Sequence, residues 1–155
     1  MTVMTIKELE DFRAQHFAQS NPLNMKIEAL DGLTMRVRMP VRDEHLRPGG
    51  TVSGPTLMFF CDAAFYLLVL AQIGPVPLAV TTNLNINFLR RPAAKPVVAE
   101  ARLLKLGRRL AVGEVAVFSE GEDEMVAHAT LTYSIPPTET GEPQTGSRDY
   151  RDTAL

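Results

Sequence analysis

Apolar positions fall along this chain in two rhythms, one helical and one alternating. Ile6, Leu9, Phe12 and Phe17 recur at helical spacing, and Thr5 and Glu8 stand three apart as in a capping box. They predict an amphipathic helix over about 5–18, ended by Asn21-Pro22. Met25 to Leu30 alternates, and Asp31-Gly32 marks a hairpin turn. Leu33, Met35, Val37 and Met39 then alternate with Thr34, Arg36 and Arg38 until Pro40. After a turn-rich loop, VRDEHLRPGGTVS, the run Leu57 to Ile73 is almost wholly apolar. Ser53 is placed to cap it, Pro55 is tolerated in a first turn, and Gly74-Pro75 ends it, so a helix over about 54–73 is predicted. Four alternating runs follow: Leu78 to Phe88, Pro96 to Leu106, Leu110 to Ser119 and Met125 to Ile135. On the last, Met125, Ala127, Ala129, Leu131, Tyr133 and Ile135 share one face.

A helix that is hydrophobic all round must be wrapped by other structure. Consecutive strands joined by turns make an antiparallel sheet. The predicted fold is therefore α+β, with a curved antiparallel sheet wrapped around one long apolar helix, the hot-dog arrangement. Residues 1–135 are expected to form one domain. From Pro136 the tail offers almost nothing apolar to bury and is expected to be disordered.

Composition narrows the function classes. The chain has 155 residues, 45% hydrophobic and 22% charged, with a formal charge of -2. That balance gives no field for nucleic acid. Asp62 inside the apolar run would cost ~2.5–3.5 kcal/mol in a bilayer, so the run is expected to be a core helix and not a membrane span. The opening MTVMTIKELEDF lacks a signal-peptide pattern, and Cys61 stands alone without a disulfide partner, so a cytoplasmic location is expected.

Several segments together resemble a family. HLRPGGTVSGP-TLMFFCDAA, then VTTNLNINFLRRP, then LGRRL is similar to the PaaI-like hot-dog acyl-CoA thioesterases, from about Val41 to Ile135. The resemblance implies hydrolysis of acyl-CoA by a homodimer or homotetramer, with no cofactor beyond the CoA thioester itself. Gly54 matches the first glycine of the family's His-Gly-Gly element, whose N–H serves as oxyanion donor, and Asp62 matches the catalytic carboxylate. Thr81 falls where relatives carry a Ser or Thr that holds the water, and Asn85-Ile86 and Arg91-Pro92 match the strand after the helix. Ser53 stands in place of the His, Pro55 in place of the second Gly and Arg47 in place of an Asn.

The residue types suit that chemistry. Asp62 can act as general base or attacking carboxylate, and Phe59, Phe60, Ala63 and Phe65 would strip water from it. Gly54 at a helix N-terminus offers a free N–H to an oxyanion. Eight residues of helix separate the two by roughly 12 Å, too far to serve one carbonyl, so each site is expected to pair Asp62 of one subunit with Gly54 of another. Arg47 and Ser53 are candidates to replace the missing polar groups, and Asn83 is a further candidate substrate contact. Arg91 and Arg108 are candidates for the phosphates of CoA. Ser53 lacks the G-x-S-x-G setting of a nucleophile, and Cys61 reads as a buried hydrophobe. His16, His45 and His128 have no metal-ligand spacing, so no metal is expected; His45 and His128 are read as surface residues. A non-catalytic acyl or acyl-CoA binding protein is the alternative reading. A hydratase would need a His five residues after Asp62, where Leu67 stands.

Overall fold

A computed structural model describes residues 1–17 and 23–137. The expected helix stop at Asn21-Pro22 and all but the first residues of the expected disordered tail lie outside the described residues. Helix α1 runs from Ile6 to Phe17. Its capping box is made: the Thr5 N–H donates to Glu8 Oε2 at 2.7 Å and the Glu8 N–H to Thr5 Oγ1 at 3.3 Å. Glu10 accepts the Ile27 N–H at 3.1 Å and Arg13 donates to the Met25 carbonyl, so α1 covers the edge of the first strand.

Strands β1 (Lys26–Asp31) and β2 (Thr34–Met39) are joined by the two-residue turn Gly32–Leu33, with Gly32 at φ 53°. Leu33, expected in the strand, is therefore in the turn and half exposed. The loop that follows is more structured than its composition suggested. It holds a 3-10 turn at Asp43–His45 and a two-residue ladder between β3 (Leu46–Arg47) and β4 (Thr51–Val52).

Helix α2 spans Gly54–Ile73 and ends where Gly74, at φ 95°, donates its N–H to the Leu70 carbonyl. Strands β5 (Val80–Phe88), β6 (Val97–Leu106), β7 (Leu110–Ser119) and β8 (Met125–Ser134) complete an antiparallel sheet of order β1-β2-β6-β7-β8-β5. The fold is the α+β hot-dog arrangement, with α2 crossing one face of the sheet. It comes close at Gly113 of β7, where an added Cβ would collide with the Phe65 ring and the Arg102 carbonyl oxygen. A bulge at Val117/Phe118 turns Met125 outward, against expectation, and buries Val126.

The opposite face of the sheet carries cross-strand ion pairs: Arg36 with Glu28 and Glu100, Arg38 with Glu120, and Glu114 with Arg102 and His128. Two surfaces have no cover among the described residues. One is the long edge strand β5. The other is a stripe on α2, where Met58 and Phe59 are exposed and Asp62, Ala63 and Tyr66 are half-buried.

Candidate active site

The start of α2 is built by three consecutive residues. Ser53 adopts extended backbone and its Oγ accepts the Thr56 N–H at 3.3 Å, while its carbonyl accepts the Leu57 N–H at 3.1 Å. Pro55 has no N–H to offer. The Gly54 N–H is thus the one donor at this helix end left without a partner among the described residues. The Phe88 ring packs beside Gly54; a Cβ there would lie 3.2 Å from Phe88 Cζ. His45, expected at the surface, is 4% exposed. Its Nδ1 accepts the Arg42 N–H at 3.0 Å and its carbonyl accepts the Ser53 N–H at 2.8 Å, so it fixes the entry into the helix from inside the loop.

Asp62 lies two turns further along, half-buried on the open stripe. Its Oδ1 accepts two hydroxyls, Thr81 Oγ1 at 2.6 Å and Tyr133 Oη at 2.6 Å. Tyr133 Oη is also 3.1 Å from the Asp62 main-chain oxygen. Oδ2 accepts no hydrogen bond among the described residues. The sheet register makes this cluster, because Thr81 of β5 stands opposite Tyr133 of β8. The alternation of β8 placed Tyr133 in the core, but its hydroxyl meets Asp62 from 71 positions away, which no local pattern signals.

Burial, the adjacent Asp62 charge and the hydrogen bond to its carboxylate all push the Tyr133 phenol above its ordinary value, so it stays protonated and donates. Burial and then the Asp62 charge push the Cys61 thiol up to about 12, which leaves it unreactive near neutral pH. Of the four residues expected to desolvate Asp62, Phe60 and Phe65 are buried; Phe59 is exposed and Ala63 is half-buried. Tyr66, raised by burial, donates to the Pro77 carbonyl at 3.3 Å, and its ring lies 6.2 Å from that of Tyr133.

The remaining candidates divide between the two ends of β5. Arg47 on β3, Ser53, Gly54 and Arg91 lie at the Phe88 end. Thr81, Tyr133 and Asp62 lie at the other end, with Arg108 in the turn between β6 and β7 beyond them. One chain does not bring Gly54 and Asp62 together. Asn83 stands opposite Thr132, beyond a bulge, on the sheet face away from α2. Ser53 spends its hydroxyl on the cap. Among the described residues no three His, Cys, Asp or Glu side chains converge as a metal site.

Residues 49–126 match the family model described as thioesterase superfamily. A protein from a Silicibacter species, provisionally named a thioesterase, is 44% identical in its crystal structure; the match covers 88% of this chain and 95% of that one, with a TM-score of 0.81. A mutant of the phenylacetic acid degradation protein PaaI from Thermus thermophilus is 32% identical over 77% of this chain and 99% of its own, with a TM-score of 0.66. A Thermoplasma acidophilum protein provisionally named an esterase is 26% identical over 102 residues, 66% of this chain and 76% of that protein.

Proposed function

The chain belongs to the thioesterase superfamily, and from that premise we propose that it hydrolyses acyl-CoA, or a closely related acyl thioester, to a free acid and CoA. One observation carries the reading: a carboxylate with one oxygen held by two hydroxyls and the other accepting from no donor among the described residues, on an apolar stripe. Water bound at Asp62 Oδ2 attacks the thioester carbon as Asp62 takes its proton. The carbonyl oxygen becomes an oxyanion held by a Gly54 N–H. Collapse breaks the C–S bond, and the thiolate leaves with the proton from Asp62. Thr81 and Tyr133 fix the base and do not themselves transfer a proton.

The two halves meet across a dimer. β5 is a nine-residue edge strand without a charged residue, an edge open to pairing with another chain. Antiparallel pairing with its own two-fold copy sets the Phe88 end of one strand beside the Thr81 end of the other. Gly54 lies over Phe88 and Asp62 is bonded to Thr81, so that pairing brings Gly54 of one protomer to Asp62 of its partner. It also covers apolar surface beside the strand, and sets Arg47 and Arg91 of one chain near the Asp62 end of the other, where they are placed to meet CoA phosphates with Arg108. A cytoplasmic homodimer, alone or doubled to a tetramer, is the proposed form.

Free-thiol release from an acyl-CoA panel tests the reading. Wild type is expected to turn over and Asp62→Ala to lose nearly all activity; equal rates would remove Asp62 as the base. Asp62→Asn mixed with Gly54→Pro, which deletes the N–H, is expected to recover about a quarter of wild-type activity after random subunit exchange. Gly54→Ala keeps the N–H and controls for bulk. Ser53-Gly54-Pro55 also favours the second reading, a non-catalytic acyl-CoA binder, because the element offers a single donor. Saturable binding with no turnover across the panel selects it.

A further inference from the structure

Of the three histidines only His45 is buried, and water attack at Asp62 leaves it without a chemical role. Its ring Nδ1 accepts the Arg42 N–H at 3.0 Å, and its own N–H donates to the Arg42 carbonyl at 2.9 Å, so side chain and main chain close the same turn. An Nδ1 that accepts carries no proton, which puts the ring proton of the neutral imidazole on Nε2. The β3–β4 ladder brings the chain back, and the His45 carbonyl accepts the Ser53 N–H at 2.8 Å. Ser53 is thereby held at three atoms: its N–H by His45, its carbonyl by the Leu57 N–H at 3.1 Å and its Oγ by the Thr56 N–H at 3.3 Å. The peptide joining Ser53 to Gly54 is planar and trans, so a Ser53 carbonyl fixed along the helix turns the Gly54 N–H the opposite way, out of the helix end.

We propose that His45 is a positioning residue for the oxyanion: through Ser53 it aims the Gly54 N–H that serves Asp62 of the partner subunit. The proposal rests on the thioesterase reading and adds to it a residue that takes no part in proton transfer. Leu57 and Thr56 tie Ser53 to α2 itself, whereas His45 ties it to the loop that enters from β2. That outer tie sets the angle at which the chain joins the helix. Pro55 has no N–H, and the Thr56 N–H is taken by Ser53, so no neighbouring donor makes up for a misdirected Gly54. A leucine at position 45 would fill similar space, but the Arg42 N–H would lose its side-chain acceptor and the turn would loosen.

The test uses subunit exchange in the full chain, because the proposal places His45 in the Gly54 half of each site. His45→Leu removes the acceptor and is expected to lower kcat on acyl-CoA about 10-fold or more, with KM within about two-fold. His45→Asn sets an amide oxygen near the place of Nδ1 and is expected to return kcat to within about three-fold of wild type. His45→Leu mixed with Asp62→Asn should recover about a quarter of wild-type activity, since each hybrid holds one intact site. His45→Leu mixed with Gly54→Pro should gain nothing, since both defects sit in the same half. Where Asp62→Asn and Gly54→Pro complement each other, recovery in the second His45 mixture or none in the first overturns the proposal. So does a wild-type kcat in His45→Leu, or an equal loss in His45→Asn. If circular dichroism shows His45→Leu unfolded, His45→Gln, which moves the acceptor one bond outward, takes its place in every comparison. If Asp62→Asn and Gly54→Pro do not complement, or wild type hydrolyses no thioester, the site reading fails instead, and hydrogen exchange decides on His45. Ser53 and Leu57 amides that exchange about 10-fold faster in His45→Leu and near the wild-type rate in His45→Asn uphold the positioning; unchanged exchange overturns it.

Discussion

Replacing Tyr133 by Phe removes one of two hydroxyls from Asp62 Oδ1, together with its longer contact to the Asp62 main-chain oxygen, while the ring keeps its place in the core against Phe65. The Tyr133 and Thr81 contacts are both 2.6 Å, the length of a hydroxyl bonded to an ionised carboxylate. A bond to a charged acceptor contributes about 1.5–3 kcal/mol. Tyr133 is 2% exposed and water cannot easily replace it, so the upper half of that range applies to it. Thr81 is exposed, and Thr81→Val should cost about 1 kcal/mol because water takes over the lost donor. In a domain of this size 1 kcal/mol moves Tm by about 2–4 °C, so Tyr133→Phe should lower Tm by about 4–12 °C. Thermal unfolding followed by circular dichroism measures this. Catalysis gives the second readout: Asp62 would turn more freely about its side chain, so kcat for acyl-CoA should fall about 10-fold or more while KM stays within about two-fold. The double variant should lose more kcat than the product of the single losses, since either hydroxyl alone still holds Oδ1. A Tyr133→Phe protein with unchanged Tm and unchanged kcat would refute the reasoning at its root, because the phenol would then be a spectator.

Other expectations are simpler. Gly113→Ala should destabilise the fold by about 1–3 kcal/mol or more, seen as a lower urea midpoint, because α2 and the Arg102 carbonyl leave no room for a methyl group. Glu114 is held below its ordinary value of 4.5, first by its hydrogen bond with Arg102 and then by that with His128. The unfolded state binds that proton more readily, so the contribution of Glu114 is present above about pH 4.5 and is lost as pH falls through its lower folded value. Glu114→Gln should therefore show a shallower loss of stability on acidification than wild type, measured by urea unfolding between about pH 5 and pH 3. An acid limb of unchanged slope would show that the pairing has no effect on folding.

Much of the architecture was legible because its signals are local. Ser53, Pro55 and Gly74 punctuate α2, and alternation marks β2 and β5 to β8 without reference to anything distant. The errors fall where the outcome depends on register or on a loop. Strands β3 and β4 have two residues each, too short for any period, and His45 is buried in a loop where a turn at Arg42 supplies an N–H that its ring accepts. Asp62 was conspicuous as a lone charge in an apolar run. Tyr133 was hidden in plain alternation, since its part in the cluster follows from β8 pairing with β5 so that it faces Thr81. Asn83 was drawn the other way by its neighbourhood in sequence: the bulge between Thr81 and Asn83 sends it to the far face.

The single donor at Gly54 also bears on how a turnover finishes. A tetrahedral intermediate concentrates its charge on one oxygen, and one N–H is matched to it. The departing acid spreads its charge over two equivalent oxygens. Pro55 has no N–H for the second of them, and the Thr56 N–H is taken by Ser53. In the proposed mechanism the helix end would therefore grip the intermediate in full and the released carboxylate only by half. An enzyme so arranged clears its own acid quickly, and inhibition by accumulated free acid should be weak.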